Sequence, residues 1–81
     1  MKDKILFVSD LCPDCEGILQ KIKEGSEKYT EYDVVNITSS MPSLKLFLKY
    51  RDTLPGYEEV RKTHKAGVPS VVIGESEVEF L

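Results

Sequence analysis

The 81-residue sequence has no tryptophan, one histidine and two cysteines, and each scarcity excludes a class of protein. Small secreted domains that depend on disulfides carry four or more cysteines, so this chain is not such a scaffold. A zinc centre needs four ligands, whereas the chain offers two thiols, His64 and carboxylates. We therefore expect no metal site built by a single chain.

Long apolar runs and basic runs are also missing. The longest apolar run, residues 5–8, falls far short of the ~20 residues that span a bilayer, and Ser9 and Asp10 end it too early for a signal peptide. The 11 basic and 14 acidic residues give a net charge of −3, and no run of Lys or Arg could bind a phosphate backbone. We expect a cytoplasmic protein with no membrane and no nucleic-acid partner.

The composition, 41% apolar and 31% charged, is that of one folded domain over residues 1–81. A chain of this length buries only about 60% of the surface that it exposes when unfolded. The core is therefore small, and little volume remains for a deep pocket. We expect a site at the surface.

The first half of the chain has the pattern of a β-α-β unit. An apolar run at residues 4–8 predicts a strand buried on both faces, and Pro13 begins a helix predicted over residues 13–24, with Gly25 closing it. Residues 32–38 are β-branched and partly polar, which predicts an edge strand. A helical crossover between the two strands makes them parallel.

The second half predicts two helices and a hairpin. Residues 39–67 contain serine N-caps and apolar side chains at helical spacing, with a break at 53–56, which predicts two helices. Residues 70–73 and 77–81 have strand patterns on either side of a turn at 74–76, which predicts a hairpin. His64 lies on the helical repeat of the second helix, and Gly67 follows it. The predicted core residues of the helices are Leu44, Phe47, Leu48, Tyr57 and Val60. The element order is β-α-β-α-α-β-β.

Cys12, Pro13, Asp14 and Cys15 carry the chemical signal of the sequence. A thiol attacks a disulfide only as thiolate, and the N-terminus of a helix favours that form of Cys12. Cys15 lies one turn further along, on the apolar face of the predicted helix that points into the core. We therefore expect Cys12 to be the nucleophile and Cys15 the resolving thiol. Pro13, Asp14 and Asp10 would tune the dithiol–disulfide redox couple. A carboxylate ~4 Å from the Cys12 thiolate would change the free energy of that thiolate by about 1 kcal/mol. Both carboxylates are equally explained as ordinary helix N-terminal charges.

A Cys-Pro-x-Cys segment that opens a helix after an N-terminal strand, together with Val68-Pro69 before a hairpin, resembles the glutaredoxins. The resemblance covers nearly the whole chain and implies an α/β, thioredoxin-like fold with a four-stranded mixed sheet. It implies a thiol-disulfide oxidoreductase that transfers electrons in cell redox homeostasis. It also implies that Pro69 is cis beside the cysteines and that the main chain of Val68 binds substrate.

The sequence departs from the glutathione-binding members of that family. It has Asp10 where they carry a basic residue and Val68 where they carry Thr, and it shows neither their Gly-Gly motif nor their C-terminal helix before Leu81. Lys62, His64 and Lys65 are weak candidates for binding a substrate carboxylate. We therefore expect a protein or low-molecular-weight disulfide as substrate, with glutathione or a thioredoxin reductase as electron donor.

Two alternatives remain open at this stage. The two thiolates could hold zinc or a shared iron–sulfur cluster in a dimer, which would make the protein a metal-binding module and not an enzyme. Pro69 could be an ordinary proline at the start of a strand. The favoured interpretation has no tightly bound cofactor, and His64 is assigned no catalytic role.

Overall fold

A mixed sheet of four strands lies at the centre of the computed structural model, which describes residues 3–81. The strands are β1 (Lys4–Val8), β2 (Asp33–Asn36), β3 (Ser70–Ile73) and β4 (Glu77–Phe80). Their spatial order is β2-β1-β3-β4. β2 is parallel to β1, whereas β3 is antiparallel to both β1 and β4, so the predicted parallel pair and the predicted hairpin are both present.

Three helices in residues 3–81 pack on this sheet: α1 (Glu16–Lys23), α2 (Met41–Arg51) and α3 (Glu58–Lys62). Single 3-10 turns, at Pro13–Cys15 and Pro55–Tyr57, lead into α1 and α3. The described part of the chain is thus one α/β domain. None of its helices combines the length and the apolar character needed to cross a membrane.

β1 is buried on both faces because the helices cover opposite sides of the sheet. One face carries what we call the aromatic cluster, in which β1 packs against α2 and α3. Its buried members are Ile5, Phe7, Ile37, Phe47, Tyr50, Tyr57, Val60 and Val72. The other face carries the cysteine cluster, in which Leu6, Val8, Cys15, Tyr29 and Val71 are buried under the apolar stripe of α1.

The first helix differs from its prediction at its start. The sequence pattern predicts a helix over 13–24, but the first turn is 3-10 and the α-helix begins only at Glu16. The C-terminus is as predicted. Gly25 has a φ of 82°, and the N–H of Ser26 donates to the carbonyl of Lys21 over 3.0 Å, which satisfies a terminal carbonyl of α1.

The last helix ends earlier than its pattern indicates. α3 stops at Lys62, and His64, with a φ of 58°, takes the left-handed position that follows a helix. The prediction that His64 lies on this helix is therefore wrong. Gly67 ends no helix. A Cβ atom there would lie 3.0 Å from Cγ1 of Val60, so glycine allows the chain to pass close to α3.

The predicted core is largely present. Phe47, Tyr57 and Val60 are buried, and Leu44 packs against them from the edge of the aromatic cluster. Leu48 is only half-buried, and the strand predicted over 32–38 is reduced to Asp33–Asn36. The sequence pattern missed Tyr50, which is buried because the last turn of α2 leans onto β1.

Candidate functional site

The turn that follows β1 places Cys12 at the start of the helical segment. Cys12 has extended backbone angles and caps the 3-10 turn, and its carbonyl accepts the N–H of Cys15 over 3.0 Å. Pro13 occupies the first helical position, where an N–H would have no intrahelical partner. The next N–H groups are bonded within the turn, because Cys15 donates to the carbonyl of Cys12 and Glu16 donates to that of Pro13.

The two thiols have different environments although only two residues separate them. Cys12 is half-buried at the surface, whereas Cys15 is fully buried in the cysteine cluster. The Ser9 N–H donates to Sγ of Cys15 over 3.4 Å. Burial raises the pKa of Cys15; the Ser9 N–H lowers it, and the negative charges of Cys12 and Asp14 raise it further. Cys15 is therefore a thiol at neutral pH.

A loop from elsewhere in the chain lies beside Cys12. The Val68-Pro69 peptide bond is cis, Pro69 is buried, and both residues line a groove of about 760 Å³ that also contains Cys12. We call this depression the Cys12 groove. The structure thus brings together Cys12, Val68 and Pro69, three site residues predicted from distant segments of the sequence.

The remaining walls of the Cys12 groove come from three elements. Asp14 contributes from the 3-10 turn, and Phe80 and Leu81 contribute from the end of β4. The lining is completed by Glu59, Val60, Thr63, Lys65, Ala66 and Gly67. Of the three candidate cations, only Lys65 belongs to this lining. Lys62 pairs with Glu58 over 3.5 Å.

Asp10 is directed toward β2 by a polar network. The hydroxyl of Thr38 donates to Oδ1 of Asp10 over 2.7 Å, and the Asp10 N–H donates to Oδ1 of Asn36 over 3.4 Å. The hydrogen bond from Thr38 lowers the pKa of this exposed carboxyl, against a small opposing effect of desolvation. Asp10 lines a second hollow, of about 440 Å³, on the other side of Cys12.

Arg51 holds the loop that carries Val68 and Pro69. Its guanidinium donates to the carbonyls of Lys65 over 2.7 Å and of Ala66 over 3.1 Å. Arg61 in turn donates to the carbonyls of Arg51 over 2.6 Å and of Leu54 over 2.9 Å, and so ties the end of α2 to α3. Sequence reasoning missed this role, because an arginine in a last helical turn has no signature that distinguishes it from an ordinary dipole charge.

Metal-binding groups do not converge elsewhere in this part of the chain. Among residues 3–81, no three or more Cys, His, Asp or Glu side chains are grouped in a way that could hold a metal ion. The two sulfurs of Cys12 and Cys15 are the groups that could serve as soft ligands at the groove.

Comparison with other proteins gives a distant relative. The chain is 27% identical over 78 residues to an uncharacterized protein of Haemophilus influenzae, and the match covers 96% of this chain and 87% of that protein. No protein-family model and no solved structure matches the sequence. Because the match covers 96% of this chain, it extends through the cysteine turn and the loop at Val68.

Proposed function

We propose that the protein is a dithiol thiol-disulfide oxidoreductase of the glutaredoxin type, with a thioredoxin-like fold, that acts through Cys12 and Cys15. One observation carries the proposal: an accessible thiol at the start of a helical turn lies in the same groove as Val68-Pro69, with a second thiol sealed one turn below it. Two thiols in these positions can attack and then release a disulfide in sequence.

The first step is attack by Cys12. Its thiolate forms a bond to one sulfur of the substrate disulfide, the substrate S–S bond breaks, and the second substrate sulfur leaves as a thiolate that takes a proton from water. The start of the helical segment favours the anionic sulfur electrostatically. Burial keeps Cys15 protonated, so it does not compete for the substrate.

The second step is attack by Cys15 on the mixed disulfide. Cys15 loses its proton to solvent, its sulfur bonds to Sγ of Cys12, and the remaining substrate sulfur leaves as a thiolate. The pair of thiols has then given up two electrons and two protons and has become the Cys12–Cys15 disulfide. Neutralisation of Cys12 in the mixed disulfide removes one negative charge that keeps Cys15 protonated.

The other groups at the groove position the substrate. The main chain of Val68 would hydrogen-bond an extended segment beside Cys12, as the resemblance implies, and Arg51 fixes the loop for that contact. An external dithiol or thiol, from a thioredoxin reductase or from glutathione, must return two electrons to the protein. The proposed cycle needs no bound cofactor and requires a reducing compartment such as the cytoplasm.

The proposal is tested with dithiodipyridine, a small neutral disulfide whose leaving group absorbs light. The wild-type chain should release two equivalents of thiopyridone and lose two hydrogens in mass, with the disulfide between Cys12 and Cys15. Cys15→Ser should release one equivalent and retain one thiopyridyl group on Cys12.

The expected difference between the two chains separates a dithiol mechanism from simple modification of an exposed thiol. If the wild-type chain retained thiopyridyl groups on both sulfurs and formed no internal disulfide, the proposal would be wrong. Cys12→Ser is the control, because it keeps Cys15 in place and should react only when the chain unfolds.

A further inference from the structure

The Cys12 groove has an apolar wall at the end of β4. Phe80 and Leu81 are each 49% exposed, and both line the groove that contains Cys12. Glu77 and Glu79 alternate with Val78 and Phe80 along β4, so the ring and the carboxylates face opposite sides of the strand. The two apolar side chains offer a contact area next to the reactive sulfur.

The ring of Phe80 is fixed before any substrate arrives. It packs edge-on against Tyr57, with ring centroids 5.7 Å apart and planes at 89°. Tyr57 is completely buried and its hydroxyl lies 2.8 Å from Oγ of Ser70. A contact with a rigid aromatic surface costs little side-chain entropy, so the exposed side of Phe80 is suited to binding.

The charged groups around Cys12 are mostly acidic. The Cys12 groove holds Asp14 and Glu59 against Lys65, and the hollow on the other side holds Asp10 and Glu16 against Lys23. The two depressions together thus contain four carboxylates and two ammonium groups. Glutathione carries two carboxylates and one ammonium group, so its net charge has the same sign as its surroundings here, whereas a basic segment would be attracted.

We infer that the substrate of Cys12 is a protein segment with a disulfide-bonded cysteine that has an apolar and a basic side chain beside it. The apolar side chain packs on Phe80 and Leu81. The basic side chain faces Glu59 and Asp14. This inference rests on the proposed function and specifies its substrate class. The groove, at about 760 Å³, lies within the size range of about 300–1,000 Å³ of binding sites for ligands. Glutathione is a poorer partner of the same thiol.

The inference is tested with short peptides that each carry one cysteine as a thiopyridyl mixed disulfide. One has Leu and Lys beside the cysteine, one has Leu and Glu, one has Gly and Lys, and a fourth compound is the thiopyridyl disulfide of glutathione. Release of thiopyridone by Cys15→Ser reports attack by Cys12. The Leu-Lys peptide should react fastest, about two- to fivefold faster than Leu-Glu because exposed ion pairs are weak.

Two variants connect these preferences to the groove. Phe80→Ala should slow the Leu-Lys peptide about fivefold and slow the Gly-Lys peptide by a smaller factor, because contact with Leu removes the exposed half of the ring from water and so contributes about half of its transfer free energy. Glu59→Lys should reverse the preference between Leu-Lys and Leu-Glu. Glu58→Lys is the matched control: it makes the same charge change on the same helix, outside the groove lining, and should leave the preference unchanged.

The outcomes separate this inference from the proposed function. If dithiodipyridine is still reduced, equal rates for all four compounds would overturn the substrate class. The same holds if Glu59→Lys and Glu58→Lys change the preference between Leu-Lys and Leu-Glu to the same extent. The fastest reaction with the glutathione disulfide would overturn it too. Should dithiodipyridine form no internal disulfide in the wild-type chain, the dithiol mechanism itself fails. Glu59→Lys keeps the test valid even if Phe80→Ala does not fold, since Glu59 is exposed.

Discussion

The two faces of the sheet bury apolar side chains with different consequences. The aromatic cluster is built from large rings in direct contact, with centroids of Phe7 and Phe47 5.0 Å apart and those of Phe47 and Tyr57 5.8 Å apart. The cysteine cluster is built from three aliphatic side chains and Tyr29 around the buried thiol of Cys15. We expect the first face to contribute chiefly to stability, whereas the second surrounds Cys15, the proposed resolving thiol.

Val68 connects the two faces, because its side chain packs against both clusters while it lines the Cys12 groove. We expect the stability of this domain to depend mainly on the aromatic cluster, and the chemistry of Cys15 to depend mainly on the cysteine cluster. If that separation is correct, a substitution on one face should alter one property and spare the other.

The largest expected effect is the loss of all turnover in Cys12→Ser. No other thiol in residues 3–81 is accessible, since Cys15 is fully buried. Reduction of dithiodipyridine by the folded protein should become undetectable, while the free energy of unfolding changes by less than about 0.5 kcal/mol, as at other surface sites. Residual two-electron turnover in folded protein would contradict the assignment of the nucleophile.

The second expected effect is a loss of stability in Phe47→Ala. Truncation of a buried aromatic side chain costs about 3–5 kcal/mol, a large part of the about 5–15 kcal/mol that stabilises a typical domain. Urea unfolding should show this loss. Under conditions where the variant is folded, the rate at which iodoacetamide alkylates Cys12 should be unchanged. A slower alkylation in folded protein would show that the two faces are not independent.

A third effect is the pH dependence of the resolving step. Because burial raises the pKa of Cys15, its reactive thiolate is a minor species at neutral pH, and the fraction rises with pH until it passes that raised pKa. Release of substrate from the mixed disulfide should therefore accelerate about tenfold per pH unit from neutrality. Stopped-flow measurement on mixed disulfide prepared in advance isolates this step. A rate independent of pH would show that Cys15 is not the titrating group.

The fourth effect concerns the loop. Arg51→Met removes two charge-assisted hydrogen bonds to the carbonyls of Lys65 and Ala66, and should slow attack on a peptide disulfide about fivefold because the loop beside Cys12 is less well fixed. The rate with dithiodipyridine should stay the same, since that molecule needs no main-chain contact. Lys45→Met, an exposed change on the same helix, is the control. Equal slowing with both disulfides would indicate a general loss of structure.

The smallest effect is expected from Asp14→Asn. A carboxylate ~4 Å from a thiolate in water changes its free energy by about 1 kcal/mol, so alkylation of Cys12 at pH 7 should accelerate by no more than about fivefold. Asp10→Asn should have less effect, because Thr38 binds that carboxylate and directs it toward β2. A larger effect at Asp10 than at Asp14 would reverse this ranking.

Much of the fold follows from local sequence patterns. The unbroken apolar run of β1, the serine N-cap of α2 at Ser40 and the glycine after α1 each determine one element through short-range physics. The left-handed His64 could not be predicted, because glycine is the residue that favours this position and a glycine lies nearby at 67. The early end of α3 depends on tertiary packing of the loop that follows it.

The site was predictable only where its residues belong to a recognisable motif. Cys12 and Cys15 are marked by their spacing, and Pro69 by its position before a strand. Arg51, Glu59 and Phe80 belong to no motif. Their roles arise from long-range contacts, an arginine bonded to carbonyls fourteen and fifteen residues away and a ring at the sheet edge brought beside the groove. Such contacts exist only once the sheet has formed.

In the proposed cycle, Cys12 attacks the substrate disulfide and Cys15 resolves the mixed disulfide. The most direct measurement is rapid acid quenching of the wild-type protein during reaction with a peptide disulfide, followed by mass mapping of every cysteine. We predict a transient adduct on Cys12 that is replaced by the Cys12–Cys15 disulfide. An adduct on Cys15, or an adduct on Cys12 that persists without internal exchange, would contradict it.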